Sequence, residues 1–418
     1  MKNYLSLLLF AVLAVPALFA QGARDGAPHI FLDCQWGCDH EFLKTELTYV
    51  NFMRDRADAD IFIQQTAVAN GSGGVQYTLF LFGQKQFAGQ NDTLVFHLPP
   101  AASENDSRQT MKTQLERGLL PYLLKTPLAK NISFSVRQEP SESNARETAR
   151  DPWNFWTFSI RGNAYLNGQK VAKSLELFGN LEANRITEQQ KTLLSAGGDY
   201  GRNAFRFDDT LSEVYENGGY YFSAAQVFSI DAHWSYGLFG GARQAQYNNL
   251  KMSAYVNPGV EFNIFPYKDV ARRQLALRYQ AGPRLNRYFD ETIYFKINEL
   301  LWEHTLGASY KQVFQWGNFN LGMRSATYLH DWSLNETNIF GGLELNLFKG
   351  FNLNLFGEYG LLRNQIELPN DGATKEEALL RIRQLQTGYS YFMYCGISYT
   401  FGSIYSNVVN PRFNNFEF

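Results

Sequence analysis

Phe351-Asn352-Leu353-Asn354-Leu355 alternates apolar side chains with amides. Leu343-Glu344-Leu345-Asn346-Leu347 and Asn318-Phe319-Asn320-Leu321-Gly322-Met323-Arg324 repeat the same pattern. Because successive side chains of a β-strand point to opposite sides, each stretch predicts a strand with one apolar and one polar face. Such stretches recur about twelve times after residue 150, so the sequence predicts a mainly β protein.

The connections between the predicted strands differ in length on the two sides of the sheet. Short connections such as 315–317 alternate with long polar ones at 208–217, 290–297 and 368–383. Short turns on one side and long loops on the other are typical of outer-membrane β-barrels, whose apolar side chains face lipid and whose polar side chains face the lumen. We therefore expect a twelve-stranded antiparallel transmembrane β-barrel at residues 153–402.

The number of strands also predicts an orientation. An even number returns the chain to the side from which it entered, and the short turns place that side in the periplasm. We therefore expect an N-terminal domain and a C-terminal tail at residues 403–418 in the periplasm of a bacterial cell. The predicted strands begin near Trp153, Val171, Lys191, Gly218, Trp234, Met252, Gln274, Asn298, Asn318, Thr337, Phe351 and Gln384.

Composition supports an exported membrane protein and argues against a nucleic-acid-binding protein and a helical membrane protein. The aromatic share is 16%, with 34 Phe and 24 Tyr, and a net charge of −2 gives no basic excess for nucleic-acid binding. Beyond the N-terminus there is no apolar run of about twenty residues, which excludes a bundle of transmembrane helices. Lys2, the apolar run 5–15 and the break at 16–20 predict a signal peptide at residues 1–20.

Residues 27–137 lack this alternation and predict a small periplasmic α/β domain in the order strand, helix, three strands, helix, strand. Apolar spacing near 3.6 residues predicts helices after Asp39 and over 104–125. The stretch Asn70–Gly74 lies between two predicted strands and lacks the Lys and the following helix of a phosphate-binding loop, so a hairpin turn is expected. The polar stretch 138–152 predicts a linker.

The chain has three cysteines, two of them close together. In an oxidising periplasm, Cys34 and Cys38 are expected to form a disulfide. The alternative is a metal site, because Cys34, Cys38, Asp39 and His40 are all possible ligands, but no second ligand cluster accompanies them. Cys395, in the last predicted strand, is expected to be a small lipid-facing residue.

The last predicted strand ends in Tyr394-x-Gly396-x-x-Tyr399-x-Phe401, which is similar to the C-terminal assembly signal of outer-membrane barrels. Together with this segment, the stretches 34–46, 347–357 and 398–413 resemble a large, poorly characterised group of bacterial outer-membrane proteins. That group pairs a small periplasmic α/β domain with a twelve-stranded barrel. The resemblance covers nearly the whole mature chain and implies fold and location, but no activity and no site residues.

Alternation predicts which charged side chains face the lumen. Their signs are mixed, so they can pair and fill a narrow interior, and no ring of one sign indicates ion selectivity. Two interpretations stay open: a salt-bridged plug that stabilises the barrel, or a channel for small polar solutes. The predicted lumen-facing residues are Arg161, Glu176, Glu182, Arg243, Glu261, Arg278, Glu303, Arg324, Glu344 and Glu358.

Two enzyme classes are known on such barrels, and the sequence supports neither. Outer-membrane phospholipases need a partnered His and Ser on the lipid face, and His233, His304 and His330 have no partner at matching spacing. Outer-membrane proteases place acidic pairs and a His-Asp couple at the rim. Asp208-Asp209 and His330-Asp331 would lie there, but adjacent residues of a strand point to opposite faces. We expect no catalytic residue, no metal ion and no cofactor.

The function expected from these features is non-enzymatic. The protein is predicted to be an envelope scaffold or binding component whose periplasmic domain engages a protein or the cell wall. A narrow channel for small polar solutes is the first alternative, and a rim-located hydrolase is the second. Outer-membrane lipid is an expected partner and nucleic acid is not, whereas the oligomeric state stays open.

Overall fold

The computed structural model describes residues 24–34, 37–70, 73–133, 151–206, 212–348, 350–372, 386–407 and 409. The predicted signal peptide and most of the predicted linker lie outside these ranges. The chain divides into two compact units. The first comprises Met1–Ala67, Gln76–Pro140 and Thr400–Phe418, and the second comprises Val68–Val75 and Ser141–Tyr399.

The first unit is a small α/β fold. Its sheet has the order β2-β1-β3-β4-β5, and β1 pairs in parallel with both β2 and β3. The Asn70–Gly74 stretch joins β3 to β4, and the Asn70 side chain accepts a hydrogen bond from the Gly74 amide at 2.9 Å. The elements are β1 (His29–Asp33), α1 (His40–Glu46), β2 (Asn51–Phe52), β3 (Ile61–Ala69), β4 (Val75–Gly83), β5 (Asn91–Leu98) and α2 (Glu104–Leu123).

Helix α2 carries much of the core of this unit. Ser103 caps its first turn, and the Asp106 side chain bonds back to the Ser103 amide in a capping box. The apolar residues spaced at helical intervals are buried, as the sequence predicts; they are Met111, Leu115, Leu119, Tyr122 and Leu123. No helix among the described residues is long and apolar enough to span a bilayer.

Two expectations for this unit were wrong. The helical spacing that follows Asp39 continues to Met53 in the sequence and predicts a helix of that length, but the helix ends at Glu46, because residues 51–53 instead add to the sheet beside β1. The closing strand expected at 132–136 is not present in its described part, since Ile132 and Ser133 follow a 3-10 turn and belong to no strand. Residues 134–136 lie outside the described ranges.

The C-terminal tail completes the sheet at the edge that β2 leaves open. Met53 forms an antiparallel bridge with Tyr405, and the Ser406 amide donates to the Phe52 carbonyl at 2.9 Å. The Asn407 side chain accepts from the Phe52 amide at 2.6 Å and donates to the side chain of buried Asn51 at 3.0 Å. Residues 402–407 are therefore part of the α/β unit, where the sequence suggested only a free tail.

Asn407→Ala is expected to lower the free energy of unfolding of the α/β unit by about 1–3 kcal/mol, since it leaves the buried Phe52 amide without an acceptor. Native-state hydrogen exchange of the β1 and β2 amides measures this loss. Ser403→Ala is the matched control, because in the described structure the Ser403 hydroxyl bonds only to backbone atoms of Tyr405 in the same tail. Equal protection in both variants would mean that the tail does not stabilise the sheet.

The second unit is a single twelve-stranded antiparallel sheet in which the strands follow their order in the sequence. Its strands are β6 (Trp156–Gln169), β7 (Ala172–Ile186), β8 (Gln190–Arg206), β9 (Ser212–Ser229), β10 (Trp234–Ala245), β11 (Leu250–Asn263), β12 (Arg273–Tyr288), β13 (Asn298–Phe314), β14 (Gly317–Tyr328), β15 (Asp331–Phe348), β16 (Phe351–Leu362) and β17 (Tyr389–Tyr399). Strands β6 and β17 form the two edges, and they are not paired with each other in the described residues.

Connection lengths follow the expected asymmetry only in part. The longest connections, 289–297 and 363–388, leave from the same end of the sheet, here called the long-connection end. Most of the predicted loop 208–217 is strand instead, because β9 begins at Ser212 and Asn217 pairs with Gly201. The opposite, short-turn end carries one long connection, residues 264–272.

Candidate functional site on the polar face of the sheet

All ten charged residues predicted to share an interior lie on one face of the twelve-stranded sheet, here called the polar face. Residues that are directly paired across strands point to the same side, and the pairing register links the ten residues through every strand. The other side, here called the apolar face, includes exposed Ile160, Leu181, Leu306 and Met393. The exposed free Cys395 lies on the apolar face as well.

Several of the predicted charges are paired. Arg161 contacts Glu182 at 2.6 Å, and Arg278 contacts Glu261 at 2.5 Å. Glu344 accepts a hydrogen bond from the Asn318 side chain at 2.9 Å. The mixed signs noted in the sequence are therefore arranged partly as neutralising contacts along the polar face.

The most buried ion pair on this face includes a residue that the sequence analysis missed. Arg284 contacts both carboxylate oxygens of Glu303, at 2.8 and 3.2 Å, and the two side chains are only 16% and 7% exposed. Arg284 also donates to Ser253, whose hydroxyl donates to Asn286. Because Arg284 follows Arg278 at an even spacing on β12, continued alternation along that strand would have found it.

A cavity of about 660 Å³ opens on the polar face toward the long-connection end. Arg243 and Arg324, both predicted, line this cavity together with Asn257, which the sequence did not single out. Among the described residues, no carboxylate oxygen lies within 4.0 Å of either guanidinium group. Asn257 is only 5% exposed, and its Oδ1 atom makes no hydrogen bond with the described residues. The cavity therefore contains two guanidinium groups without a direct carboxylate contact and one amide oxygen without a hydrogen-bond donor among the described residues.

Part of the long connection after β16 covers this cavity. Ile366 packs against Leu301 and Tyr328 in a buried cluster. Asn249 donates to the Glu367 carbonyl at 2.9 Å, and the Ile293 amide donates to the Leu368 carbonyl. No periodic pattern marks this segment in the sequence, so its position could not be predicted.

Glu367 in this covering segment also lines the cavity. Burial raises the pKa of the Glu367 carboxyl above its usual value of 4.5; repulsion from Glu336 acts in the same direction, while Arg243 and Arg284 oppose the shift. The folded protein therefore keeps the proton on this carboxyl to a higher pH than the unfolded chain does. An acid with a raised pKa adds stability below its unfolded-state pKa, and this contribution is lost as the pH rises through the folded-state value.

Glu367→Gln is expected to match the wild type in urea stability near pH 4 and to exceed it increasingly as the pH rises to 7. The glutamine remains neutral, whereas the wild-type carboxyl must ionise in a buried position. Urea unfolding of both proteins over this pH range measures the difference. A constant difference at every pH would show that Glu367 does not titrate differently in the folded state.

A second cavity, of about 530 Å³, lies on the polar face toward the short-turn end. Tyr267, from the connection 264–272, bonds there to Ser235 at 3.1 Å and to Glu261 at 3.2 Å. Desolvation raises the pKa of the Tyr267 hydroxyl. None of the described residues lines both cavities, and a connecting segment folds onto the polar face at each end.

The catalytic alternatives weighed from the sequence are not assembled in the described residues. His330 contacts the Tyr328 ring, and the adjacent Asp331 bonds to Ser333 instead. Asp208 and Asp209 lie outside the described ranges. Of the other two histidines considered above, His233 bonds to the Asn263 carbonyl, and His304 packs against Trp332.

The Cys34 and Cys38 sulfur atoms lie at disulfide-bonding distance, with Cα atoms 6.1 Å apart. Across the described residues, no group of three or more His, Cys, Asp and Glu side chains is arranged to hold a metal ion.

Neither a protein-family model nor a curated protein sequence matches the chain. The architecture, a small α/β unit with a twelve-stranded antiparallel sheet, is compatible with the outer-membrane group that the sequence resembles.

Proposed function

We propose that the protein is an integral β-barrel of a bacterial outer membrane, acting as a non-enzymatic scaffold or binding component of the envelope. The observation that carries the membrane assignment is the charge distribution of the apolar face. Among its described strand residues, Asp, Glu, Lys and Arg occur only within five residues of a strand end. These residues include Lys173, Arg185, Arg202, Arg206, Glu216, Arg273 and Arg287. A lipid-facing charge is costly at the bilayer midplane and tolerated near the interfaces.

Aromatic side chains support the same assignment. The ring centroids of Trp234 and Phe262 are 4.6 Å apart, and those of stacked Phe314 and Trp316 are 4.4 Å apart. Both pairs lie near the short-turn end. Exposed Trp332 lies near the long-connection end. Amphipathic rings at both ends of an apolar band are typical of the two membrane interfaces.

Closure of the sheet into a barrel is part of this proposal. Open edges on β6 and β17 would leave rows of backbone groups without partners, which lipid does not allow. Four exposed phenylalanines interrupt the polar face, and closure would bury them in the interior; they are Phe178, Phe340, Phe356 and Phe392. An interior filled by these rings and by the ion pairs favours a plugged barrel.

A plugged barrel leaves the α/β unit as the part that engages a partner. The chain runs from this unit into the twelve-stranded sheet and returns to it, since residues 402–407, immediately after β17, pair with β2. The opposite edge strand, β5, carries exposed Val95. We propose that the unit faces the periplasm and binds a periplasmic protein or the cell wall.

Site-specific photo-crosslinking in cells tests this proposal. A photoreactive residue at Val95 is expected to capture a protein or cell-wall fragment, whereas one at Met393 on the apolar face is expected to capture lipid. Fractionation should place both variants in the outer membrane. Recovery of the protein in the soluble periplasm, or capture of the same protein at both positions, would contradict the assignment.

The two polar cavities favour a second candidate, a narrow channel for small polar solutes. Planar-bilayer recording of the purified protein separates the two functions. The scaffold proposal expects no discrete conductance, because segments 264–272 and 363–370 both fold onto the polar face. Steady open-channel currents would contradict the scaffold proposal and support the channel.

A further inference from the structure

The cavity of about 660 Å³ has the size of a small-molecule site, and its lining is mostly polar. Arg243 on β10 and Arg324 on β14 line this cavity. In the described chain, no carboxylate oxygen lies within 4.0 Å of either guanidinium group. Guanidinium groups bind carboxylates and phosphates through paired, charge-assisted hydrogen bonds. Two such groups lining one cavity suit a ligand with an oxyanion.

In the described chain, the carboxylates around the cavity do not contact these arginines directly, although the charge of Arg243 favours ionisation of Glu367. Glu303 is held by Arg284. Glu336 accepts hydrogen bonds from the side chains of Asn338 at 2.7 Å and Asn364 at 3.1 Å. Glu367 lies in an environment that disfavours its charged form.

Asn257 is an independent indication of a ligand. Its Oδ1 atom is an acceptor that finds no donor among the described residues, and buried polar atoms are rarely left in that state. Gly282, on the neighbouring strand, leaves the room that this side chain occupies, since a Cβ atom there would lie 2.5 Å from the same Oδ1 atom. This oxygen is fully covered in the described structure, so the amide must turn toward the cavity for a hydroxyl group of a ligand to supply the missing donor.

We propose that this cavity binds a small polyhydroxylated oxyanion, a sugar acid or a sugar phosphate. Arg243 and Arg324 bind the oxyanion, and Asn257 accepts a hydrogen bond from a hydroxyl group. The rings of Tyr221 and Tyr255, which also line the cavity, provide surfaces for the carbon skeleton. This inference is independent of the partner proposed for the α/β unit.

Isothermal titration of the full-length protein in detergent micelles tests the site, with gluconate, glucose 6-phosphate, glucose and acetate as probes. Gluconate or glucose 6-phosphate is expected to bind at least about tenfold more tightly than glucose, because hydrogen bonds to a charged group are stronger than neutral ones. Whichever of the two binds more tightly identifies the oxyanion as carboxylate or phosphate. If neither binds, or if glucose binds equally well, the proposal is wrong.

Three variants assign the contacts. Arg243→Gln and Arg324→Gln are each expected to weaken binding of the tighter probe about tenfold. Asn257→Leu is expected to weaken that binding too, while leaving the weak binding of acetate, which has no hydroxyl, unchanged. Arg161→Gln is the matched control, since Arg161 lies on the same face but outside the cavity. Far-UV circular dichroism verifies that each variant retains its sheet, and an equal loss in Arg161→Gln would overturn the assignment.

Discussion

Leu181→Arg is expected to lower the free energy of unfolding in phospholipid vesicles by about 2–4 kcal/mol, the cost of a lipid-facing arginine near the bilayer midplane. Leu181 lies in the inner part of β7 on the apolar face and is 53% exposed. Its cross-strand neighbours are Ile160 and Ala196, so no acidic side chain is directly opposite to neutralise a new charge. Urea titration of the vesicle-folded protein measures the loss.

The adjacent residue provides a control on the same strand. Asn180 lies on the polar face, and its side chain bonds to Glu182 at 2.8 Å. Asn180→Arg therefore places the same charge beside a carboxylate, and we expect a change of less than about 1 kcal/mol. Equal losses in the two variants would mean that the apolar face does not contact lipid.

The two faces could be predicted because strand alternation is a local property. Each side chain is assigned to a face by its position within one short stretch, as in Leu343–Asn346, and the strand register preserves that assignment. Strands β10, β13 and β16 begin at the predicted residues Trp234, Asn298 and Phe351. Phe356 has the phase of Asn354 and Glu358, and Phe392 that of Ser390 and Ser398, so alternation places both on the polar face, although neither was singled out there.

The parts that could not be predicted depend on contacts between distant residues. The pairing of Tyr405 with Met53 joins the two ends of the chain, and neither segment carries a pattern that identifies its partner. The same is true of Ile366, which is buried only because Leu301 and Tyr328 meet it from other strands. Alternation places Asn257 on the polar face, but only the structure shows that its Oδ1 atom has no hydrogen-bond donor among the described residues.

Single substitutions of the Arg284–Glu303 pair are expected to cost about 3–5 kcal/mol each, measured by urea unfolding of the detergent-folded protein. Arg284→Met leaves a buried carboxylate without its cation, and Glu303→Leu leaves a buried guanidinium without its anion. The double variant should recover most of the loss, because an apolar pair of similar volume removes both desolvation penalties.

The exposed pair Arg161–Glu182 is the comparison, with the substitutions Arg161→Met and Glu182→Leu. Arg161 is 62% exposed in the described sheet, and a solvated pair of this kind contributes only about 0.2–1 kcal/mol. The coupling energy of each pair is the difference between the loss in the double variant and the sum of the two single losses. A large coupling energy at Arg284–Glu303 and a small one at Arg161–Glu182 would show that the interior is dry around β12 and β13. Equal, small couplings would instead indicate a water-filled interior, which is the condition that a channel requires and a plug does not.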